Sequence, residues 1–129
     1  MDALVSLLTT LRLPIAAAMA LSVLLRSGRP MALSELSEAT GYAKGHLSTV
    51  LRLLEEKSLV ERVRVSGRKL LFRARVEGLR ALLKEHLNEL KAYLRSVAEE
   101  LGDESLASVA RAVEPELHAM LNRLDDEEV

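Results

Sequence analysis

LSELSEATGYAKGHLSTVLRLLEEKSLVERVRVSGRKLLFRAR, residues 33–75, changes its hydrophobic period once, and that change decides the fold. Up to Lys57 the apolar residues recur at helical spacing. Ser34 is placed to cap a short helix, with Glu35 in the first turn, where a carboxylate suits the helix dipole. The helix stops at Gly41, a residue that takes positive φ at little cost. A second helix runs from near Ala43 to about Lys57 with Leu47, Leu51 and Leu54 on one face. From Val60 the period becomes two. Val63 and Val65 alternate with Arg62 and Arg64; after Ser66 and Gly67, Leu70, Phe72 and Ala74 alternate with Arg73 and Arg75. That is the pattern of a β-hairpin with a very short tip.

Outward from this stretch the chain is helical. Leu4, Leu7, Leu8 and Leu11 lie at i, i+3, i+4 and i+7, one face of a short amphipathic helix. Pro14 suits the first turn of a second helix reaching about Ser27, which Gly28, Arg29 and Pro30 end. Beyond Val76, Leu83, Leu87, Leu90, Leu94, Val97 and Leu101 alternate spacings of four and three. Gly102 breaks the helix and Asp103 can cap the next. Leu106, Ala110, Val113, Leu117, Met120 and Leu124 then repeat the alternation, with a kink expected at Pro115. Such spacing keeps one seam toward a partner, as in a coiled coil. The expected class is mainly α with a small β-hairpin (α+β). The segments are an N-terminal helix over 1–13, a helix-turn-helix and hairpin over 14–76, and long C-terminal helices over 77–129.

Composition removes several classes of function. At 129 residues the chain has room for one domain plus accessory helices. Phe72, Tyr42 and Tyr93 are its only aromatics, too few for a base-stacking platform. With no cysteine there are no disulfides, zinc-thiolate sites or thiol sensors, and a cytoplasmic setting is expected. The apolar run Leu13–Leu25 is interrupted by Pro14 and Ser22 and is too short for a bilayer, so no membrane partner is expected; nor is a secretory signal visible. Glutamine is absent and asparagine occurs only at 88 and 122, a composition that hints at a heat-adapted source. There is no glycine-rich phosphate loop and no His/Asp/Glu cluster at metal-ligand spacing, so no catalytic residue, metal or cofactor is expected. His86 and His118 read as surface histidines on the long helices.

The net charge of −1 hides an asymmetry: residues 1–76 carry a balance of +6 and residues 77–129 one of −7. A basic first part points to a polyanionic partner. If Leu47, Leu51 and Leu54 face inward, Lys44, His46, Ser48, Thr49 and Arg52 face out, and Gly45 lets a backbone approach closely. Short polar groups and cations of this kind bond base edges or phosphates. Between Lys57 and Arg75 stand seven cations, among them Arg64, Arg68, Lys69 and Arg73, against the single acid Glu61. Engaging about five phosphates would give a salt slope of about −4 to −5 per protomer. The plainer alternative for the hairpin is a solvated strand edge. His46 is open to three roles: base contact, phosphate contact or surface residue.

Residues 34–60, SELSEATGYAKGHLSTVLRLLEEKSLV, resemble the helix-turn-helix of MarR, ArsR and TrmB-type winged-helix regulators, whose pattern ends in Leu-Glu-x-x-Gly-Leu-Val. Leu54, Glu55, Leu59 and Val60 match that ending; Ser58 stands where the family has glycine, so the helix end is expected to differ in shape. The resemblance covers about residues 15–76. It implies a winged helix-turn-helix that binds double-stranded DNA, with the Lys44–Arg52 face reading the major groove and the hairpin serving as the wing. The missing cysteines exclude thiolate metal sensing and cysteine oxidation. Residues of the two C-terminal seams, together with Leu4, Leu7, Leu8 and Leu11, are the expected contacts of a homodimer. A winged-helix protein-interaction module and a non-specific chromatin-associated DNA binder are the alternatives. No buried polar cluster marks a pocket for a small-molecule effector.

Overall fold

A computed structural model of the chain describes residues 2–65, 67, 69–102 and 104–127. The elements are α1 (Ala3–Thr10), α2 (Ile15–Ser27), β1 (Met31–Ala32), α3 (Leu33–Thr40), α4 (Lys44–Glu56), β2 (Val60–Val65), β3 (Lys69–Ala74), α5 (Val76–Leu101) and α6 (Glu104–Glu127). They divide into two compact units, Met1–Leu79 and Arg80–Val129.

In the first unit α2 packs against α1, α3, α4 and β3. Its alanines make this possible: Ala16, Ala17, Ala18 and Ala20 are buried, and side chains this small let neighbouring elements approach closely. Leu8, Leu21, Leu24, Leu36, Leu47, Leu51, Leu54 and Leu59 are fully buried around it. Burying each such side chain contributes about 1.5–3 kcal/mol before entropy is counted. Asp2 caps α1, its carboxylate accepting from the Val5 N–H at 2.9 Å; that bond, with Arg26 nearby, holds the Asp2 carboxyl below its usual range. The face α1 turns inward carries Val5 and Leu8, and the chain just beyond buries Leu11. Leu8 and Leu11, expected at a dimer contact, are enclosed within the first unit. Leu4 is half-buried and Leu7 exposed.

Two local expectations change at the entry to α3. The residues after Pro30 form strand β1, which pairs antiparallel with β3 (Met31 opposite Phe72, Ala32 opposite Leu71), so the sheet has three strands in the order β1-β3-β2. The N-cap of α3 is Ala32, not Ser34. Glu35 reaches back to accept from the Ala32 N–H at 3.0 Å, the bond a capping box makes from its third helical residue. That bond first, and the Arg29 guanidinium second, lower the Glu35 carboxyl pKa. Likewise Pro14 sits one position earlier than expected, at the N-cap of α2.

The end of α4 explains the serine in the Leu-Glu-x-x-Ser-Leu-Val segment. Ser58 adopts φ +60°, the left-handed conformation a glycine would take. The Ser58 N–H donates to the Glu55 carbonyl at 3.0 Å and the Leu59 N–H to the Leu54 carbonyl at 2.9 Å, the paired bonds of a Schellman cap. Leu54 and Leu59, the apolar pair such a cap brings together, are both fully buried. The turn keeps its shape, and the serine bears a backbone cost of about 1–2 kcal/mol. It also turns the Ser58 carbonyl onto the first turn of α5, where a Cβ at Gly78 would run into that oxygen. The Arg75 N–H donates to the Leu59 carbonyl at 2.8 Å beside it.

The second unit holds α6 and α5 from Arg80 onward. Among the described residues its buried ones are Ala98, Leu117 and Leu121. Glu114 of α6 pairs with Lys91 of α5 at 3.6 Å and with Arg95. Ala107, Ala110, Glu114 and Leu117 of α6 line a cavity of about 280 Å³ with Leu94, Arg95 and Ala98 of α5. The inward ladder of α6 thus differs from the expected seam: Leu121 is 7% exposed while its neighbour Met120 is 40% exposed. Leu117 is buried inside the unit. α6 is continuous through Pro115. Leu90, Val97 and Leu101 are exposed; Leu83, Leu87, Leu94, Leu106 and Val113 are half-buried. The expected cap at Asp103 lies outside the described residues.

Candidate nucleic-acid interface

The exposed face of α4 is fixed from behind. Leu47, Val50, Leu51 and Leu54 are buried, and the strongly one-sided helix leaves Lys44, Gly45, His46, Ser48, Thr49 and Arg52 all exposed. The turn that aims it is closed by side chains. Gly41 takes φ +81°. The Thr40 hydroxyl donates to the Leu36 carbonyl at 2.7 Å and accepts from the Tyr42 N–H at 3.2 Å. The Ser37 hydroxyl donates to the Tyr42 carbonyl at 2.7 Å. Tyr42 in turn sets its ring 5.3 Å from that of His46. No side chain caps α4 at Ala43, so its first-turn amides are not bonded by a capping group. A Cβ at Gly45 would meet open space, and Thr49 bends back to the Gly45 carbonyl at 3.4 Å.

The wing is β2 and β3, paired Val60–Ala74, Glu61–Arg73, Arg62–Phe72, Val63–Leu71, Arg64–Leu70 and Val65–Lys69. Directly opposed residues share a face of the ribbon. This register puts Arg62 and Arg64 on the face of Leu70 and Phe72, and Lys69 and Arg73 on the other with Glu61, Val63 and Val65. The cations are divided between the two faces.

Their commitments differ as well. Arg62 donates from Nε to both carboxylate oxygens of Glu55 at 3.0 and 2.9 Å, with its guanidinium carbon 5.7 Å from the Phe72 ring centroid. Arg73 is held by Glu61 across the strands, and Arg75 by Glu77 at 3.2 Å. Glu77 has its carboxyl pKa lowered, first by its own backbone N–H and then by Arg75. Lys69 adds to the positive field that lowers the Glu35 carboxyl. Among the described residues Lys44, Arg52 and Arg64 are in no ion pair. Arg68 lies outside the described residues.

Of the expected contact residues, the fold brings Lys44, Gly45, His46, Ser48, Thr49 and Arg52 onto one helix face, with Arg64 and Lys69 near the hairpin tip. Ser48 and Arg52 share a groove with Arg62 and Leu70, so the α4 face and the wing border one surface. Sequence reasoning passed over Glu55 and Tyr42, which hold Arg62 and His46. The partner of Glu55 is set by the path from α4 into β2, which no periodicity reports. Among the described residues no cluster of three His, Asp or Glu side chains could hold a metal, and no helix is long and apolar enough to cross a membrane.

Residues 13–69 match the MarR family. The chain is similar to a solved structure described as a transcriptional regulator, at 25% identity over 96% of this chain and 89% of that one, with a TM-score of 0.55. Weaker likenesses are to the transcriptional regulator BldR from Sulfolobus solfataricus (20% identity, 78% and 73% of the two chains, TM-score 0.43) and to a mutant of Lactococcus lactis ZitR in complex with DNA (18%, 81% and 73%, TM-score 0.41). No curated protein matches the chain. Residues 13–69, the stretch similar to the MarR family, thus hold a helix-turn-helix and most of a three-stranded antiparallel sheet, the architecture of a winged helix.

Proposed function

We propose that the protein is a transcription regulator that binds double-stranded DNA sequence-specifically as a homodimer. Lys44, Gly45, His46, Ser48, Thr49 and Arg52 enter the major groove. Arg64 and Lys69, with Arg68, contact the backbone or minor groove. The observation that carries this reading is the pairing, within one unit, of a wholly exposed polar face on α4 with a wing whose Arg64 has no acidic partner among the described residues. Arg73, already held by Glu61, contributes less than its charge alone would indicate. Exposed apolar residues of the second unit, Leu90, Val97, Leu101 and Met120, support self-association. A two-fold dimer would space its α4 helices by about 34 Å to reach successive major grooves.

Mobility shifts of duplex DNA at two salt concentrations test the reading. Tight binding that weakens steeply with salt is the expected result. Weak binding at both concentrations overturns it and favours a protein-interaction module. Selection of bound duplexes from random sequence separates specific from non-specific binding. Ser48→Ala or Thr49→Ala should change the preferred sequence, whereas Arg64→Ala should weaken all sequences alike.

A further inference from the structure

We propose that Arg62 is a positioning residue, a strut between recognition helix and wing held by Glu55, and not itself a phosphate contact. The proposal rests on the DNA-binding reading above. Three observations carry it. Arg62 lies opposite Phe72 on the ribbon face that meets the core, and Phe72 is buried. Its Nε donates to both oxygens of Glu55, a residue of the last turn of α4, so one side chain ties β2 to that helix. Its guanidinium lies over the Phe72 ring, which fixes the plane of the fork on the second strand as well. Arg64, two residues farther along the same face, has no such tie among the described residues. Two arginines of one strand thus divide the work: the inner one sets where the hairpin points and the outer one uses that position.

The sign of the Glu55 effect separates the strut from a contact. Were Arg62 a phosphate contact, removing Glu55 would free a cation and remove a repelling charge, so DNA affinity would rise or hold. As a strut, its loss lets the wing swing and DNA affinity falls. We expect Glu55→Ala and Arg62→Ala each to flatten the salt slope by at least about 1.8, since Arg64 and Lys69 alone account for about 0.9 each. Arg64→Ala should flatten it by about 0.9 in the parent protein and have no further effect in either variant, a coupling that a general loss of stability would not produce. Exchanging the pair, Glu55→Arg with Arg62→Glu, should recover the parent slope. Without DNA, the Arg62 Nε–H should exchange with solvent more slowly than that of Arg64 by NMR, and this protection should be lost in Glu55→Ala. A Glu55→Ala protein that binds duplex as tightly as the parent with its slope intact overturns the strut. So does an Arg62 Nε–H that exchanges as fast as that of Arg64. A parent protein that fails to bind duplex refutes the DNA-binding reading instead, and the exchange comparison still decides the strut.

Discussion

The two units spend their leucines differently. In the first unit eight leucines between Leu8 and Leu59 are fully enclosed, and the turns between elements are closed by Thr40, Ser37, Glu35 and the cap at Ser58. In the second, Ala98, Leu117 and Leu121 are buried while Leu90, Tyr93, Val97, Leu101, Val109 and Met120 remain exposed. Leucine content is similar along the chain, but enclosure needs elements on several sides, and two helices alone cannot supply them. The first unit closes a core of its own. The second leaves apolar surface of the kind that marks an interaction site.

The sharpest way to break this contrast is to truncate one leucine in each unit. Leu54→Ala, at a site 0% exposed, should lower stability by about 3–5 kcal/mol in a thermal or denaturant melt. Leu101→Ala, at a site 65% exposed, should change it by less than about 0.5 kcal/mol under conditions that keep the protein monomeric. Comparable losses would show the second unit to be as enclosed as the first. Next in size, Gly78→Ala should lower stability by about 3 kcal/mol, since the new methyl meets the Ser58 carbonyl, a backbone group that cannot swing away. Val97→Asp with Leu101→Asp should raise the dimer dissociation constant at least about tenfold, about 1.4 kcal/mol, by analytical ultracentrifugation. The melt of the first unit should not move. A parent protein that sediments as a monomer at micromolar concentration removes the dimer. Ser58→Gly relieves the left-handed strain but gives the unfolded chain more freedom. It should stabilise by about 0.5–1 kcal/mol.

How far the sequence could be read follows from the same contrast. α4 was legible because Leu47, Leu51 and Leu54 form one stripe on an otherwise polar helix, so inside and outside were both determined. β1 was not, because two residues carry no period. Ser34 invited a capping assignment, yet Glu35 serves the cap from within the helix, since the chain must first complete its pairing with β3. The stripe on α1 gave only part of the inward face and not its partner: Val5 is buried beside Leu8 while Leu7 is exposed, and α1 packs on α2 of its own chain. On α6 apolar residues occupy neighbouring positions, Met120 and Leu121 among them, so two ladders were available and leucine spacing could not choose. Alternation in the hairpin located both strands but could not show that their register would send the arginines of β2 and of β3 to opposite faces.

The central claim is that α4 and the wing together grip a polyanion, and the salt dependence of duplex binding tests it most directly. A plot of log K against log salt should be linear with a slope of about −4 to −5 per protomer, flattened by about 0.9 for each of Lys44→Ala, Arg52→Ala and Arg64→Ala. A slope near zero, or one that none of these substitutions alters, would contradict it.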